Sequence, residues 1–279
     1  MPRRVVAAAG AAAAGLLGWS LFESQWVEFR DLEATLPRLP RLARELDGLT
    51  IVHLSDFHLG TISFNGRAVE RAVRWASETP CDIVAITGDL LSRRRGEPQL
   101  QAAMASLDPR LGVFAVLGNH DVEVTRDPFS QPTDASVVEK SGAVLLENDS
   151  VLRTMNGKTV QVVGGDQSLG PYWSRVAQLA DPEGDLRILL FHFPDVVRHL
   201  PPGAFDLVLA GHLHGGQICI PTPRGKVRLE HLRAPHWEGL HDTPAGTLHV
   251  SRGLGTSFVP FRFLARPEAT RLVLRSAAH

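Results

Sequence analysis

The sequence predicts an α/β domain with a substantial β component, preceded by an apolar leader. Three observations carry that reading. Short runs rich in Val, Ile and Leu recur along the chain, and such runs suit strands covered on both faces. A segment between the first two runs has apolar residues at helical spacing. Hydrophobic residues make up 44% of the 279 positions and charged residues 21%, a composition that allows a real core and excludes a disordered chain.

The elements follow in order. Arg3 and Arg4 precede an uncharged, Ala- and Gly-rich run from Val5 to Phe22. At helical rise such a run extends about 27 Å, close to the thickness of a hydrocarbon core. Glu23, Glu28, Asp31 and Glu33 come after it. By the positive-inside rule the N-terminus stays cytoplasmic and the remainder is exported. Residues 1–25 are therefore expected to be a signal or membrane anchor. Residues 26–279 are expected to form one extracytoplasmic domain of the cell envelope, anchored or released. Gly18-Trp19-Ser20 offers a small-x-small triplet to a signal peptidase.

Trp26–Ala34 reads as a strand, followed by a linker with Pro37 and Pro40. Thr50–Ser55, Ile83–Thr87, Val113–Leu117, Ile188–Phe191 and Leu207–Ala210 are the buried-type strands. Arg67–Ser77, apolar at Ala68, Val69, Ala72, Val73 and Ala76, is a helix with one buried face. Gln99–Ser106 and Ala135–Ser141 are shorter helical segments, and Val144–Glu147, Val160–Val163, Leu248–Ser251 and Thr270–Leu274 add strands.

Bulk chemistry narrows the function. Lys+Arg at 29 against Asp+Glu at 30 leave a net charge of −1, which argues against nucleic acid as a partner, since phosphate neutralisation wants a basic excess. Two cysteines, Cys81 and Cys219, exclude a disulfide framework and a thiolate zinc site.

Polar residues gather where the apolar strands end. Asp56-Phe57-His58 follows the first, Gly88-Asp89 the second and Gly118-Asn119-His120-Asp121 the third. His192 follows the fourth, and Gly211-His212-Leu213-His214 the fifth. Ligand crevices in open α/β sheets lie outside the carboxyl ends of the strands, so these groups are placed to converge. Oxygen and nitrogen donors without thiolate suit a borderline divalent metal. Seven such donors exceed one tetrahedral site and match two ions sharing a bridging carboxylate.

Taken together, these blocks resemble the calcineurin-like metallophosphoesterase superfamily, over about Leu49 to Arg275. The text from His53 to Gly60 and from Gly211 to Gln217 is similar to its bacterial branch with an N-terminal export or membrane segment. The resemblance implies a four-layer αββα sandwich with two mixed β-sheets. It implies that Asp56, His58 and His214 hold one metal, that Asp89 bridges, and that Asn119, His192 and His212 complete a second. The cofactors would be two divalent ions, with manganese, iron and zinc all compatible.

The implied activity is a phosphoesterase that cleaves a phosphodiester or pyrophosphate bond with a metal-activated hydroxide. His120 would be the general acid and Asp121 would orient its imidazole. Within this branch the substrate class extends to nucleotide-sugar lipids such as UDP-diacylglucosamine. The alternatives are a phosphomonoesterase acting on phosphoproteins or small phosphates, and a non-catalytic metal-binding envelope protein. Arg252 and Arg262, near Gly253-Leu254-Gly255, are expected to hold substrate oxygens, with structural ion pairs as the competing reading. Many relatives carry another acid shortly after the bridging Asp. Here Asp89 is followed by Leu90-Leu91-Ser92 and Arg93-Arg94-Arg95, a solvated loop or a contact for an anionic head group or nucleotide.

Overall fold

Continuous apolar runs leave no face for water, and the chain covers both sides of them by stacking two sheets. The structure, a computed structural model, describes residues 2–36, 45–122, 127–131, 133–223, 225–230, 232 and 234–276. The linker expected at Pro37 and Pro40 lies outside the described residues.

The first half runs α1 (Pro2–Glu23), β1 (Glu28–Leu36), β2 (Thr50–Leu54), α2 (Asn65–Glu78), β3 (Ile83–Thr87), α3 (Glu97–Ala105), β4 (Gly112–Val116), α4 (Ser136–Lys140) and β5 (Val144–Leu145). The second half is nearly all strand: β6 (Asp149–Met155), β7 (Lys158–Gly165), β8 (Leu186–Phe191), β9 (Leu207–Ala210), β10 (Cys219–Thr222), β11 (Gly225–Arg228), β12 (Gly239–Thr243), β13 (Gly246–Val250) and β14 (Glu268–Ser276).

One six-stranded sheet has the order β1-β14-β2-β3-β4-β5 and the other β12-β13-β9-β8-β7-β6, with β10-β11 a separate hairpin. Both sheets are mixed. β2, β3, β4 and β5 are parallel while β14 opposes β2. β7, β8, β9 and β13 are parallel while β6 and β12 close the edges antiparallel. Ile51, Ala85, Phe114, Val162, Ile188 and Leu209 fill the layer between the sheets. Ala68, Val69, Ala72, Val73 and Ala76 of α2 cover the outer face of the first sheet, on the stripe that their spacing predicts. The outer face of the second is covered by 3₁₀ segments, Trp173–Leu179 and Pro194–Arg198, in place of full α-helices. Such short segments have no 3.6-residue stripe to read.

α1 is long and apolar enough to cross a membrane, with mean hydropathy 1.8 over Arg4–Glu23. Its last turn does not stop at the domain surface. Ser20, Glu23 and Ser24 are buried. The Glu23 carboxylate accepts from the Ala265 amide at 2.8 Å, the Ser20 carbonyl accepts from the Arg262 amide at 3.2 Å, and the Arg266 guanidinium lies 3.9 Å over the Trp26 ring.

Candidate metal centre

Strands β2, β3, β4, β8 and β9 each deliver polar residues just past their carboxyl ends, and sharp turns aim most of those side chains. Asp56, His58, Asp89, His212 and His214 all have positive φ, between 46° and 72°. Left-handed backbone costs a non-glycine residue free energy and clusters where surrounding structure over-determines it. Five of the seven expected ligands carry that strain. Glycine is required beside them: Gly88 has φ 88°, and a Cβ there would lie 2.8 Å from Nδ1 of His192.

Two sets of donors result. Ligand atoms of Asp56, His58, Asp89 and His214 lie within 4.8 Å of one another, as do those of Asp89, His192 and His212. Asp89 belongs to both. Its Oδ2 is 3.4 Å from His58 Nε2 and 3.2 Å from His192 Nε2. Asn119 joins the second set, with Oδ1 3.2 Å from His192 Nε2.

The protons show what these sets are built to take. His192 Nδ1 faces the Thr87 carbonyl at 2.7 Å and His214 Nδ1 faces the Gly255 carbonyl at 3.3 Å. The His192 ring therefore carries hydrogen at Nδ1 when neutral and presents a lone pair at Nε2, while His214 Nδ1 also lies 3.4 Å from the Arg262 guanidinium. The Nε2 nitrogens of both rings crowd against a carboxylate and other imidazoles: His214 Nε2 is 3.4 Å from Asp56 Oδ1 and 3.2 Å from His58 Nε2, and His192 Nε2 is 3.2 Å from His212 Nδ1. Buried carboxylate oxygens and imidazole nitrogens brought within 4.8 Å of one another, with no thiolate among them, suit a divalent metal.

Electrostatics agree. Burial pushes Asp56 up to about 6. Burial, with His120 beside it, drives His58 down to about 3. Burial opposes charge on Asp89 as well, yet His192, His58 and His120 hold it well below the usual carboxylate range. Burial likewise disfavours charge on His192, but Asp89 and Asp56 outweigh it and lift that imidazole to about 9. The carboxylates demand positive charge in the cage.

His120 sits at the rim of this cluster, 4% exposed. Its Nε2 is 4.0 Å from Asp89 Oδ2 and its Nδ1 is 2.6 Å from Ser130 Oγ. Asp121 is placed differently from the expectation that it orients His120. Its carboxylate accepts from the amides of Leu90, Leu91 and Gly118, so it ties the turn after β3 to the turn after β4. Ser130 meets the imidazole instead, and its position within a loop carried no signal. Ser92 was equally unmarked; its Oγ lies 3.0 Å from His58 Nδ1.

The two arginines expected at the substrate are also placed differently. Arg262 is fully buried and donates to the carbonyls of His214, Ala265 and Arg252 at 2.8–3.0 Å. Arg252 pairs with Glu268 at 2.8 Å and with Glu28 at 3.0 Å. Their guanidinium groups are committed to the protein, which supports the structural reading of both. Gly215-Gly216-Gln217 forms a turn, with the Gln217 amide bonded to the His214 carbonyl at 3.0 Å.

Residues 49–216 match the family model of the calcineurin-like phosphoesterases. The chain belongs to that family. It is a metal-dependent phosphoester hydrolase, and the clusters above could hold a metal ion. Relatives agree. YkoQ of Bacillus subtilis, a metallophosphoesterase, is 33% identical over 231 residues, covering 80% of this chain and 82% of its own. YkuE of the same organism is 28% identical, covering 96% and 94%. LpxG of Chlamydia trachomatis, a UDP-2,3-diacylglucosamine pyrophosphatase, is 28% identical, covering 87% and 91%.

Proposed function

We propose that this phosphoesterase uses two divalent ions bridged by Asp89 to hydrolyse a phosphodiester or pyrophosphate bond, at a site on the extracytoplasmic face of the membrane that α1 spans. The observation that carries the reading is the membership of Asp89 in both donor sets. Asp56, His58 and His214 would hold one ion, and Asn119, His192 and His212 the other. Bound divalent ions supply Lewis acidity toward phosphate oxygens and ionise water near neutral pH. The chain's own residues then fix the geometry. The Thr87 carbonyl sets the tautomer of His192, and the Gly255 carbonyl and Arg262 hold the His214 ring in place.

Hydrolysis makes a new oxygen–phosphorus bond as the bond to the leaving oxygen breaks, and that oxygen needs a proton. His120, 4.0 Å from Asp89 and braced by Ser130, is the group placed to hold that proton at Nε2 and deliver it. The likeness to LpxG over most of both chains supports a lipid-linked pyrophosphate as the natural bond. His120→Ala tests the assignment. Turnover of bis-nitrophenyl phosphate should fall by about 10²–10⁴-fold, with two ions per chain retained by elemental analysis. Loss of metal together with turnover makes His120 a ligand, and one ion per chain at full turnover ends the dinuclear reading.

A further inference from the structure

The run Arg93-Arg94-Arg95 plays no part in the cage. Arg94 pairs with Glu97 at 3.2 Å, but Arg93 and Arg95 turn to a groove of about 210 Å³ that they line with Ile62, Phe129, Phe258 and Pro260. The groove abuts the donor cluster. Thr61 in its wall donates to the His58 carbonyl at 3.2 Å. Thr256, also in the wall, follows Gly255, whose carbonyl faces His214.

Its apolar side chains are presented to solvent by deliberate construction. Ile62 is 88% exposed, Phe129 51% and Phe258 44%. Phe258 has φ 58°, a left-handed backbone that an aromatic residue rarely adopts. The buried Asp127 pins it there, accepting from the Phe258 amide at 3.1 Å and from the Phe129 amide at 2.9 Å. Arg93 Nε is bonded to the Phe129 carbonyl at 2.6 Å and Arg95 Nε to the Gly60 carbonyl. These bonds hold both guanidinium groups at the rim.

One wall of the groove leads along the chain to the exit of α1. The segment that forms its wall at Phe258–Pro260 runs on to Arg262, Ala265 and Arg266, which grip Ser20, Glu23 and Trp26 at the exit of α1. Trp19, Phe22 and Trp26 cluster there with ring centroids 5.6–6.1 Å apart, the aromatic belt of an interface. A volume of 210 Å³ is about seven times the share of one water. That holds a segment of a hydrocarbon chain, not a helix.

We infer that the groove is a substrate subsite for one acyl chain of a membrane lipid. Arg93 and Arg95 would meet the lipid's anionic head group, and its phosphoester would be led to the donor cluster. The inference rests on the phosphoesterase reading and names the substrate class as an anionic amphiphile taken from the bilayer.

The test uses the full chain in nanodiscs containing phosphatidic acid with a diazirine in one acyl chain, irradiated in chelator so that no hydrolysis occurs. Adducts are expected on peptides holding Ile62, Phe129 or Phe258 as well as on α1, with the groove adducts lost in Ile62→Asp. In parallel, kcat/KM for a short-chain acylated phosphodiester relative to bis-nitrophenyl phosphate should fall about tenfold in that variant. Adducts confined to α1, groove labelling unchanged by Ile62→Asp, or an unchanged ratio overturns the proposal. If neither ester is hydrolysed with manganese, iron or zinc, the phosphoesterase reading fails, and the labelling alone decides the groove.

Discussion

Two buried polar clusters share the loops at one end of the sheets, and they are built on opposite terms. Around Arg262, Arg252, Glu268 and Glu23, donors meet acceptors: guanidinium groups face carbonyls and carboxylates at 2.8–3.0 Å. Around Asp89, side chains of metal-ligand type crowd one another: His58 Nε2 lies 3.2 Å from His214 Nε2, and His192 Nε2 lies 3.2 Å from Asn119 Oδ1. Both clusters are buried and charged. Burial and charge therefore do not distinguish a functional centre from a structural one; what differs is the chemistry, guanidinium donors facing fixed acceptors in the first cluster and gathered metal-ligand side chains in the second.

The contrast can be broken most severely at Asp89. Asp89→Asn removes the carboxylate common to both donor sets and should cut phosphodiester turnover by about 10³-fold or more, since ion-mediated stabilisation is worth several kcal/mol. Elemental analysis of the same variant should show metal lost, and chelator should lower the melting temperature of the wild type but not of the variant.

Arg262→Met should do the reverse. It strands the carbonyls of His214, Ala265 and Arg252 in the interior and should cost about 3–5 kcal/mol of stability by denaturant unfolding. The folded fraction at low denaturant should retain its metal. Metal loss from that fraction would show that the arginine cluster and the cage are one unit.

Smaller effects sharpen the boundary. Ser92→Ala removes the partner of His58 Nδ1 and should weaken metal affinity about 10–100-fold, with the melting temperature of the metal-free protein nearly unchanged. Glu268 gives a pH signature confined to the structural cluster. Burial raises a carboxyl, but Arg252, His249 and Arg30 prevail and hold Glu268 below its ordinary value of 4.5. Its depressed value means that its stabilisation is present above pH 4.5 and lost as pH falls through the folded-state value. Acid unfolding of Glu268→Gln, followed by circular dichroism, should show a shallower loss of stability in that range than the wild type. An identical acid slope would remove Glu268 from the account.

Much of the architecture was legible because its causes are local. The stripe of Ala68, Val69, Ala72, Val73 and Ala76 follows from helical periodicity, and Ile83–Thr87 and Leu207–Ala210 stop where their apolar runs stop. β6 and β12 escaped because edge strands are half exposed and carry polar residues, so they read as loops. The candidate donors were marked locally too: each of the seven lies just past the end of a strand. Only the tertiary structure decided which nitrogen faces which carbonyl, that Asp121 grips backbone while Ser130 meets His120, and that Arg252 and Arg262 are spent inside the protein. Those outcomes depend on groups far apart in sequence arriving within hydrogen-bond reach, and that proximity is set by how the two sheets pack, not by the order of residues along either one.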